Sequence, residues 1–385
     1  MDQPRTEAVG AAAALGSNSA GSVEPKDNQV PLLPITRTTQ PRPRVADPDL
    51  GFGRVFTDHM LVMEYTQGTG WHDARIEPYG PLTLDPATLV LHYGQAVFDG
   101  FKAFRSSSGA VVLFRPRDHI ARLNRSCARL CIPAVDEASV LDGLKRLVHL
   151  DADWVPRTFG CALYIRPVII ATEADLVVRP SRRYRFFTIL SPVGPYYREG
   201  FQPVRILVSD RYVRAARGGL GAAKTPANYA ASLLAAEEAK AAGFTQVLWL
   251  DGTERTSVEE VGTMNIFFRL GDELVTPPLE GTILPGVTRD CVIRLASHWG
   301  IQVTERRISM PEVVGAHARG KLCEVFGSGT AAVISPVSEL VFQGESLVIA
   351  EGRVGEWTQR LFDTLTGIQY GKVEDPFGWT LSLSE

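Results

Sequence analysis

The sequence predicts an α+β protein with two domains and a cleft between them. Apolar runs of strand length alternate with segments of helical periodicity along most of the chain. One stretch, SPVGPYYREGFQPV at 191–204, holds three prolines and two glycines and is typical of a connection between domains. We therefore predict an N-terminal domain over 46–190, a linker over 191–203 and a C-terminal domain over 204–385.

Residues 1–45 are predicted to be a disordered leader. The segment AAAALGSNSAGS is followed by scattered proline, threonine and arginine, and no aromatic residue occurs there. Because a chain of this composition buries little apolar surface, we expect order to begin near Phe52.

Four strands and one helix are predicted in the N-terminal domain. The helix covers 139–150, where apolar residues recur at helical spacing. The strands are HMLVMEY (59–65), VVLFRP (111–116), GCALYIRPVII (160–170) and YRFFTIL (184–190).

The C-terminal domain is predicted to mix strands with two helices. One helix covers 227–243 and ends at Gly243, and the other covers 289–299 before Gly300. The predicted strands are VRILVSD (204–210), TQVLWL (245–250), VGTMNIFFRL (261–270) and ELVTP (273–277).

The charge balance gives no general reason to expect binding to nucleic acid or to an anionic membrane. Lys and Arg number 40 and Asp and Glu 43, for a net charge of −3. No apolar stretch reaches the ~18 residues that span a bilayer, and we see no signal sequence. The five cysteines form no CxxC pair and no zinc-like cluster, so we predict no metal site. A cytoplasmic location with free thiols fits these features.

A glycine-rich turn, GGLGAAKTPANY at 218–229, places Lys224 ahead of a predicted helix. A phosphate-binding P-loop would need Gly-x4-Gly-Lys-Ser/Thr, and Ala223 stands where its second glycine belongs. An ordinary surface lysine is the other interpretation of Lys224 taken alone. The motifs that accompany it decide between these alternatives.

Two small-residue loops and one carboxylate accompany the lysine. GTILPGVTRD (281–290) runs into a helix, so its N–H groups can cradle a phosphate, although an ordinary Pro-Gly turn has the same pattern. FGSGT (326–330) is the second loop. Glu260, at the start of an apolar strand, is either a solvated strand end or the partner of a group such as a protonated pyridine nitrogen. An amine, a phosphate cradle and a buried carboxylate are together what pyridoxal phosphate requires.

The order of these motifs resembles the branched-chain amino acid aminotransferases, which are class IV (fold-type IV) pyridoxal-phosphate enzymes. The resemblance runs from about Phe52 to the C-terminus. It is carried by FTDHMLVMEY, LHYGQAVFDGFKAF, FRPRDHIARLNRSCARLCIP, LYIRPV, SPVGPYY, GGLGAAKTPANYAASLL, EEVGTMNIFF, ILPGVTRD and EVFGSGTAAVISPV. It implies the fold of the D-amino-acid aminotransferases, with pyridoxal 5′-phosphate in the cleft between the domains.

The resemblance implies cofactor-binding roles for seven residues. Lys224 would form the Schiff base and carry the proton, Glu260 would hold the pyridine nitrogen protonated, and Tyr229 would hydrogen-bond the phenolic oxygen. The phosphate ligands would be Arg122, Val287, Thr288 and Thr330.

The resemblance also implies substrate-binding residues. Tyr164 and the Thr330–Ala331 backbone would orient the substrate carboxylate, and Arg166 would bind a second carboxylate. The side-chain pocket would be lined by Phe52, Phe98, Tyr196, Thr263 and Ala331. Tyr93 would reach the pocket of the neighbouring subunit, in a homodimer that shares its active sites.

Three sites depart from the usual pattern of the family. Asp99-Gly100-Phe101 replaces Glu-Gly followed by Met or Leu. Val177 replaces a frequent glycine in a loop beside the pocket, which bears on the choice of substrate. Ala332 and Ser335 stand where some animal relatives have a redox Cys-x-x-Cys pair, so we expect no thiol switch there.

The activity that the resemblance implies is transamination between L-leucine, L-isoleucine or L-valine and 2-oxoglutarate, in biosynthesis or in degradation. A D-amino-acid aminotransferase and an aminodeoxychorismate lyase are alternatives within the fold, but their chains are shorter and lack the HYGQAVFDGFKAF and FTDHML segments. A catalytically silent binding protein is a further alternative, against which the intact Lys224, Tyr229 and Glu260 argue.

Overall fold

Two β-sheets and the helices packed on them form the part of the chain that the computed structural model describes, residues 33–196 and 200–383. The strands are β1 (His59–Thr66), β2 (Gly70–Pro78), β3 (Ala96–Phe98), β4 (Phe101–Arg105), β5 (Val111–Phe114), β6 (Ala162–Ala171), β7 (Arg183–Val193), β8 (Val204–Val208), β9 (Gln246–Leu250), β10 (Val258–Val261), β11 (Met264–Leu270), β12 (Glu273–Thr276), β13 (Gln302–Glu305), β14 (Leu322–Gly329), β15 (Val333–Phe342), β16 (Glu345–Val348) and β17 (Thr380–Ser382). The helices are α1 (Leu89–Tyr93), α2 (Pro116–Arg129), α3 (Glu137–Leu150), α4 (Pro226–Ala241), α5 (Val287–His298), α6 (Met310–Ala318) and α7 (Glu356–Gln369). The predicted α+β class is confirmed, and the three predicted helices are α3, α4 and α5.

The two sheets differ in the direction of their strands. The first has the order β17-β5-β4-β6-β7-β1-β2, with β3 also on β6, and its pairings are antiparallel. The second has the order β10-β9-β8-β15-β14-β11-β12-β13, with β16 on β15. It is mixed, because β8 lies parallel to both β9 and β15. Since β17 pairs with β5, the end of the chain returns to the first sheet.

Apolar side chains of both sheets meet in a shared core. Phe104 of β4 and Tyr164 of β6 belong to one buried cluster with Phe267 of β11 and Phe326 of β14, and α5 and α7 contribute to it. Two other clusters lie within the separate halves, one against α2 and α3 and the other against α6. Because packed interiors deform little, the shared cluster fixes how residues of the two sheets face each other.

The predicted strand over 261–270 is wrong in one respect, because the structure breaks it into a hairpin. β10 ends at Val261, β11 begins at Met264, and Gly262 turns the chain with a φ of +56°, which favours glycine. Glu260 therefore lies within β10, just before the turn, and not at the start of a long strand. The continuous apolar run concealed this turn from sequence analysis.

The predicted leader over 1–45 lies mostly outside the described residues, which begin at 33. Its described part contacts the folded body, which corrects the expectation of disorder for 33–45. Thr36 N donates to Ile76 O at 2.9 Å, and Arg42 N donates to Asp58 Oδ1 at 2.7 Å. These bonds use the backbone of the leader, so its lack of aromatic residues did not reveal them.

The contacts of residues 33–385 group them into one compact unit, and the predicted boundary over 191–203 stays a prediction. β7 continues to Val193, so the linker range begins inside a strand. No helix among the described residues is long and apolar enough to cross a bilayer. The cytoplasmic location stays a prediction as well.

Candidate active site

A cavity gathers residues from both sheets that lie far apart in the sequence. It contains every predicted site residue except Tyr93. Those that line it are Phe52, Phe98, Arg122, Tyr164, Arg166, Tyr196, Lys224, Tyr229, Glu260, Thr263, Val287, Thr288, Thr330 and Ala331. The structure thus brings together residues whose proximity the sequence could only imply.

Lys224 lies on the turn before α4, where hydrogen bonds from both sides fix its backbone. Lys224 N donates to Ser126 Oγ of α2 at 2.9 Å, and Lys224 O accepts from Phe98 N of β3 at 3.1 Å. The next residue is also held, since Thr225 Oγ1 donates to Ala96 O at 2.9 Å. The amine therefore extends into the cavity from a rigid support.

Tyr229, in the first turn of α4, contacts this amine. Lys224 Nζ donates to Tyr229 Oη at 2.7 Å. Pro226 occupies the start of the helix, where its missing N–H has no cost, and Asn228 Nδ2 donates to Ala223 O at 2.9 Å. These local signals begin the helix directly after the lysine, so the amine and the phenol face each other.

Glu260 is only 3% exposed and lines the cavity from β10. Its Oε2 lies 2.6 Å from Arg214 Nε, and its Oε1 accepts from Asn265 Nδ2 and Leu284 N, both at 3.1 Å. Burial raises the pKa of Glu260, and the positive charge of Arg214 opposes that rise. A protonated group placed against this carboxylate would favour its charged form further.

The N-terminus of α5 opens into the same cavity. Gly286 is its N-cap, and Val287 and Thr288 supply backbone N–H groups at the positive end of the helix dipole. A Cβ on Gly286 would lie 2.0 Å from Asn265 Oδ1, so a larger residue there would have to displace the Asn265 amide, which bonds Glu260 and Leu284. This end of the cavity is suited to an anion that approaches the backbone closely.

Arg122 of α2 lies beside this helix start. Its Nη1 donates to Pro285 O at 3.4 Å, while its Nε and Nη2 donate to the two carboxylate oxygens of Asp99 at 2.9 and 2.7 Å. His119 Nδ1 lies 2.7 Å from Asp99 Oδ1. Burial acts to raise the pKa of Asp99, but the charges of Arg122 and His119 outweigh it and hold that pKa far below its usual range. Asp99 therefore stays ionised and orients the guanidinium of Arg122.

Aromatic rings form another part of the cavity wall. The ring of Phe52 meets those of Tyr164 and Tyr196 edge-on, each with centroids 5.2 Å apart. The guanidinium of Arg166 lies 4.9 Å from the ring centre of Phe98, and its Nη2 donates to Tyr164 Oη at 3.3 Å. Arg166 Nε has no hydrogen-bond partner among the described residues. The aromatic rings of this wall can contact an apolar substrate side chain. The guanidinium of Arg166 can pair with a carboxylate of a substrate.

The turn between β14 and β15 brings Thr330 and Ala331 to the cavity. Lys102 of β4 supports the turn from the first sheet, because its Nζ donates to Ala331 O at 2.8 Å. Ser328 Oγ, also at the cavity, is buried and has no hydrogen-bond partner within the described part of the chain. One hydroxyl next to the turn therefore has unused hydrogen-bonding capacity among the described residues.

Comparison with known proteins agrees with this geometry. The family model described as "Amino-transferase class IV" matches residues 96–340, a range that includes Arg122, Lys224, Glu260 and the turn at Thr330. The chain belongs to the class IV aminotransferases. It is 56% identical to branched-chain-amino-acid aminotransferase 2 of Bacillus subtilis (strain 168), over 91% of this chain and 96% of that relative.

Solved structures resemble this aminotransferase in fold. The branched-chain amino acid aminotransferase of Escherichia coli superposes with a TM-score of 0.71 at 28% identity, covering 85% of this chain and 99% of its own. The branched-chain aminotransferase of the thermophilic archaeon Thermoproteus uzoniensis, solved with norvaline, gives 0.71 at 27%, covering 84% and 99%. Both confirm the predicted fold.

Class IV aminotransferases use pyridoxal 5′-phosphate, and the residues of this aminotransferase fit that cofactor. The α5 N-terminus and Arg122 offer N–H groups and a cation to a phosphate. The buried carboxylate of Glu260 suits a protonated ring nitrogen, and the Lys224 amine, held by Tyr229, lies within the cavity where it can bond a carbonyl carbon.

Tyr93 is the one predicted site residue outside the cavity of this aminotransferase. It is 44% exposed, and its Oη donates to Leu176 O at 2.5 Å. Leu176, Val177 and Val178 are also exposed on this loop. The placement of Tyr93 agrees with a role outside its own chain's pocket but does not test it.

Sequence analysis missed the residues that hold the site residues in position. Arg214 pairs with Glu260, Asn265 bonds both Glu260 and the loop before α5, and Ser126 anchors Lys224. The residues next to them in the sequence give no indication of these contacts. Each residue either bonds a partner from a distant segment or resembles an ordinary strand residue. Lys102, which supports the Ala331 turn, was missed for the same reason.

Proposed function

We propose that this chain is a pyridoxal 5′-phosphate-dependent aminotransferase that acts between L-branched-chain amino acids and 2-oxoglutarate. The observation that carries the proposal is the meeting of the Lys224 amine, the Glu260 carboxylate and the α5 N-terminus in one cavity with an aromatic wall. Relatives named as branched-chain-amino-acid aminotransferases, which are 56% and 48% identical over most of the chain, support it.

Seven residues hold the cofactor in this proposal. Arg122 and the N–H groups of Val287, Thr288 and Thr330 bind the phosphate, Glu260 pairs with the ring nitrogen, and Tyr229 donates to the phenolic oxygen. Lys224 bonds the cofactor covalently between turnovers. When bound, pyridoxal 5′-phosphate supplies an electron sink for the bonds at the substrate Cα.

Lys224 carries the proton in this proposal, because its amine lies in the cavity beside Tyr229 and the proposed cofactor site. Proton transfer requires a base within hydrogen-bond reach of the reacting atom. The tethers from Ser126 and Phe98 fix the Lys224 backbone, and the 2.7 Å contact with Tyr229 holds Nζ on the cofactor side. Glu260, whose charged form Arg214 favours, stabilises positive charge at the ring nitrogen.

The pocket accounts for the proposed substrates. Phe52, Tyr164 and Tyr196 give a broad apolar surface, and such a surface separates side chains that differ by one methylene by only ~1–3 kcal/mol. Leucine, isoleucine and valine should therefore all be accepted. Arg166, with an unused Nε among the described residues, supplies the cation that the second carboxylate of 2-oxoglutarate or glutamate requires.

A homodimer is part of the proposal. The loop of Leu176, Val177 and Val178 exposes these side chains by 60, 57 and 79%, and three adjacent apolar residues are seldom left in water. Tyr93 lies against this loop. A second copy that covers the loop would explain its composition and would let Tyr93 reach the neighbouring pocket.

The test is an activity assay joined to chemical mapping. The purified, cofactor-loaded protein should transfer the amino group of L-leucine, L-isoleucine and L-valine to 2-oxoglutarate and should be yellow. Borohydride reduction and peptide mapping should place the pyridoxyl group on Lys224. Lys224→Ala should abolish turnover, whereas Lys240→Ala, on the exposed face of α4, should not.

Three outcomes would contradict the proposal. A pyridoxyl group on another lysine would refute the role of Lys224. Turnover of D-alanine or D-glutamate in place of the L-amino acids would favour a D-amino-acid aminotransferase. A colourless protein that stays inactive with added cofactor would favour the silent binding protein.

A further inference from the structure

The chain around Phe52 lies beside the end of β7, and hydrogen bonds on both sides of Phe52 hold it there. Before Phe52, Gly51 O accepts from Gly194 N at 3.2 Å. After it, Val55 O accepts from Ser191 Oγ at 2.6 Å. The backbone that carries Phe52 is therefore fixed at two points, by β7 and by the residue that follows it.

Gly194 passes very close to this backbone. A Cβ on Gly194 would lie 2.4 Å from Leu50 O and 3.4 Å from Leu50 C. Favourable contacts between non-bonded atoms lie at about 3.5–4.0 Å, and a backbone oxygen cannot rotate away as the end of a side chain can. The φ of Gly194 is not positive, so a larger residue there would be resisted by Leu50 and not by its own conformation. Gly194→Ala therefore has to separate the two backbones just before Phe52.

Ser191 fixes the same backbone relative to Tyr164, the ring that Phe52 contacts. Ser191 of β7 lies opposite Tyr164 of β6 in the register of these two strands. The rings of Phe52 and Tyr164 meet edge-on with their centroids 5.2 Å apart. The strand pairing places one ring, and the hydrogen bond from Ser191 to Val55 places the backbone of the other. The separation of the two rings therefore depends on Ser191 and Gly194.

Phe52 and Tyr164 line the cavity of the candidate active site, whereas Ser191 and Gly194 do not belong to its described lining. A substrate there meets the rings and not the residues that position them. The side chain of leucine is one methylene longer than that of valine and reaches farther along an apolar wall. Displacing one ring of the wall removes contact from the longer side chain first.

We propose that Gly194 and Ser191 are positioning residues that determine the range of amino donors, because they hold Phe52 against Tyr164 in the substrate pocket. The inference rests on the proposed function, since it requires the side chain of the donor to lie against these rings. The residues proposed to hold the cofactor come from other segments of the chain. Moving Phe52 should therefore leave the cofactor in place.

The test measures kcat/KM for leucine and for valine, with 2-oxoglutarate as the acceptor, in wild type and in Gly194→Ala. The ratio of leucine to valine should fall at least about fivefold, a part of the ~10–200-fold that a whole methylene contributes. The loss should appear mainly as a higher KM for leucine, because the rings contact its side chain before and during the reaction alike. The dissociation constant and the absorbance of the bound cofactor should not change.

Gly80→Ala is the matched control for Gly194→Ala. A Cβ on Gly80 would lie 4.0 Å from Pro78 O, which is an ordinary contact distance, and the φ of Gly80 is not positive either. This variant adds the same methyl group to the first half of the chain without displacing a backbone. It should leave the leucine-to-valine ratio unchanged.

Ser191→Ala tests the second hydrogen bond without adding volume. It should lower the leucine-to-valine ratio at least about twofold, because the backbone after Phe52 loses one of its hydrogen bonds. Ser338→Ala is its matched control, because Ser338 Oγ donates to Val204 O at 3.2 Å in the second sheet, and it should leave the ratio unchanged. Should Gly194→Ala fail to fold, Ser191→Ala decides.

Two results would overturn the inference. A leucine-to-valine ratio that keeps its wild-type value in both Gly194→Ala and Ser191→Ala would show that these residues do not position Phe52. Weaker binding of the cofactor in the same variants would show a general loss of structure in place of a displaced ring.

Failure of the proposed function gives a different result. If wild type transfers the amino group of neither leucine, isoleucine nor valine, the proposed function fails. The crystal structure of either variant then still tests the inference, because the ring centroids of Phe52 and Tyr164 should lie farther apart than 5.2 Å. An unchanged separation of the rings would overturn it.

Discussion

Asp99 accepts two hydrogen bonds from the guanidinium of Arg122, at 2.7 and 2.9 Å, and both side chains are buried. Because Nε and Nη2 of Arg122 bond Asp99, Nη1 is the group that donates to Pro285 O, next to the start of α5. The cation at the proposed phosphate site is therefore held in place by a carboxylate from the turn between β3 and β4 of the first sheet. Asp99 is also one of the positions at which the chain departs from the usual family pattern, with aspartate in place of glutamate.

The first prediction concerns the strength of this anchor. Asp99→Asn removes the negative charge and leaves Arg122 buried without a counter-charge. Losing one partner of a buried ion pair typically costs ~3–5 kcal/mol. We expect a loss of that order in the free energy of unfolding of the cofactor-free protein, measured by urea denaturation.

Asp118→Asn is the matched control for Asp99→Asn. Asp118 is half-exposed and pairs with Arg115, which keeps a second partner in Asp290. Because Asp118 is half-exposed and Asp290 still compensates the charge of Arg115, we expect a loss of ~1 kcal/mol or less. Equal losses in the two variants would show that the Asp99–Arg122 pair is no anchor.

The second prediction concerns Glu260. Glu260→Gln keeps the shape of the side chain but removes the charge that we place against the ring nitrogen. We expect kcat to fall by at least ~10²-fold with the cofactor still bound, the scale of losing one well-placed electrostatic group. Stopped-flow and steady-state rates with L-leucine and 2-oxoglutarate measure this.

The neighbouring glutamate provides the control for that rate. Glu259 is buried as well, but it does not line the cavity, and burial raises the pKa of its carboxyl group, so a neutral glutamine should be tolerated. Glu259→Gln should keep kcat within about twofold of wild type. The role of Glu260 would be refuted if both variants turned over equally fast.

Local signals explain which parts of the molecule could be predicted from the sequence. Lys224 follows a run of glycines and precedes a proline that starts a helix, and Val287 and Thr288 begin a helix after Pro285-Gly286. Each signal depends on a few adjacent residues and on a known backbone preference. The helices α3, α4 and α5 and about half of the described strands were predictable for the same reason, because periodicity is a local property, whereas α1, α2, α6 and α7 were not predicted.

The remaining features depend on contacts between distant segments. Arg214 comes from the loop after β8 and meets Glu260 of β10 only when the sheet has formed. The pairing of β17 with β5 joins the end of the chain to the first sheet, and no nearby residue signals it. The turn at Gly262 was hidden because the residues on both sides of it are apolar and buried.

The third prediction concerns Lys102 and pH. Burial lowers the pKa of Lys102 from 10.5 to about 8, and Cys161 is the titratable group that acts on it. Between these values the unfolded chain binds a proton that the folded chain has released, so the free energy of unfolding should rise with pH. A shift of this size corresponds to a gain on the order of 3 kcal/mol between pH 8 and 10.5.

Urea denaturation of wild type and two lysine variants at several pH values separates the contribution of Lys102 from those of other titratable groups. Lys102→Met should lack the rise between pH 8 and 10.5. Lys372→Met, which replaces an exposed lysine, should keep it. If wild type and Lys102→Met gave parallel curves over this range, Lys102 would not be a buried amine in solution.

The fourth prediction concerns the described part of the leader. Residues 33–45 bond Ile76, Asp58 and His59, and Arg44 lies 4.0 Å above the ring of Trp154. Deleting 2–45 should therefore cost about 2–4 kcal/mol more than deleting 2–32, from lost hydrogen bonds and cation–π contacts. Thermal and urea denaturation of the two shortened chains compare them. If the two shortened chains were equally stable, residues 33–45 would not stabilise the fold and would belong to the disordered leader.

The last prediction concerns Val177 and the choice of substrate. Val177 is 57% exposed, does not line the cavity of its own chain, and its N–H donates to Asp175 Oδ1 at 3.0 Å. Arg179 also pairs with Asp175, so the loop is already held by its own residues. A valine here would then restrict the loop backbone without reducing the volume available to a substrate side chain.

Val177→Gly should therefore change the ranking of amino donors little. We expect kcat/KM for leucine, isoleucine and valine to stay within about tenfold of one another in both proteins, which corresponds to ~1.4 kcal/mol in transition-state free energy. Val178→Gly, at the still more exposed neighbour, is the control for a general loosening of the loop. If only Val177→Gly gained more than tenfold for leucine over valine, the isopropyl group would be a wall of the pocket, which it could reach only from the other subunit of the proposed dimer.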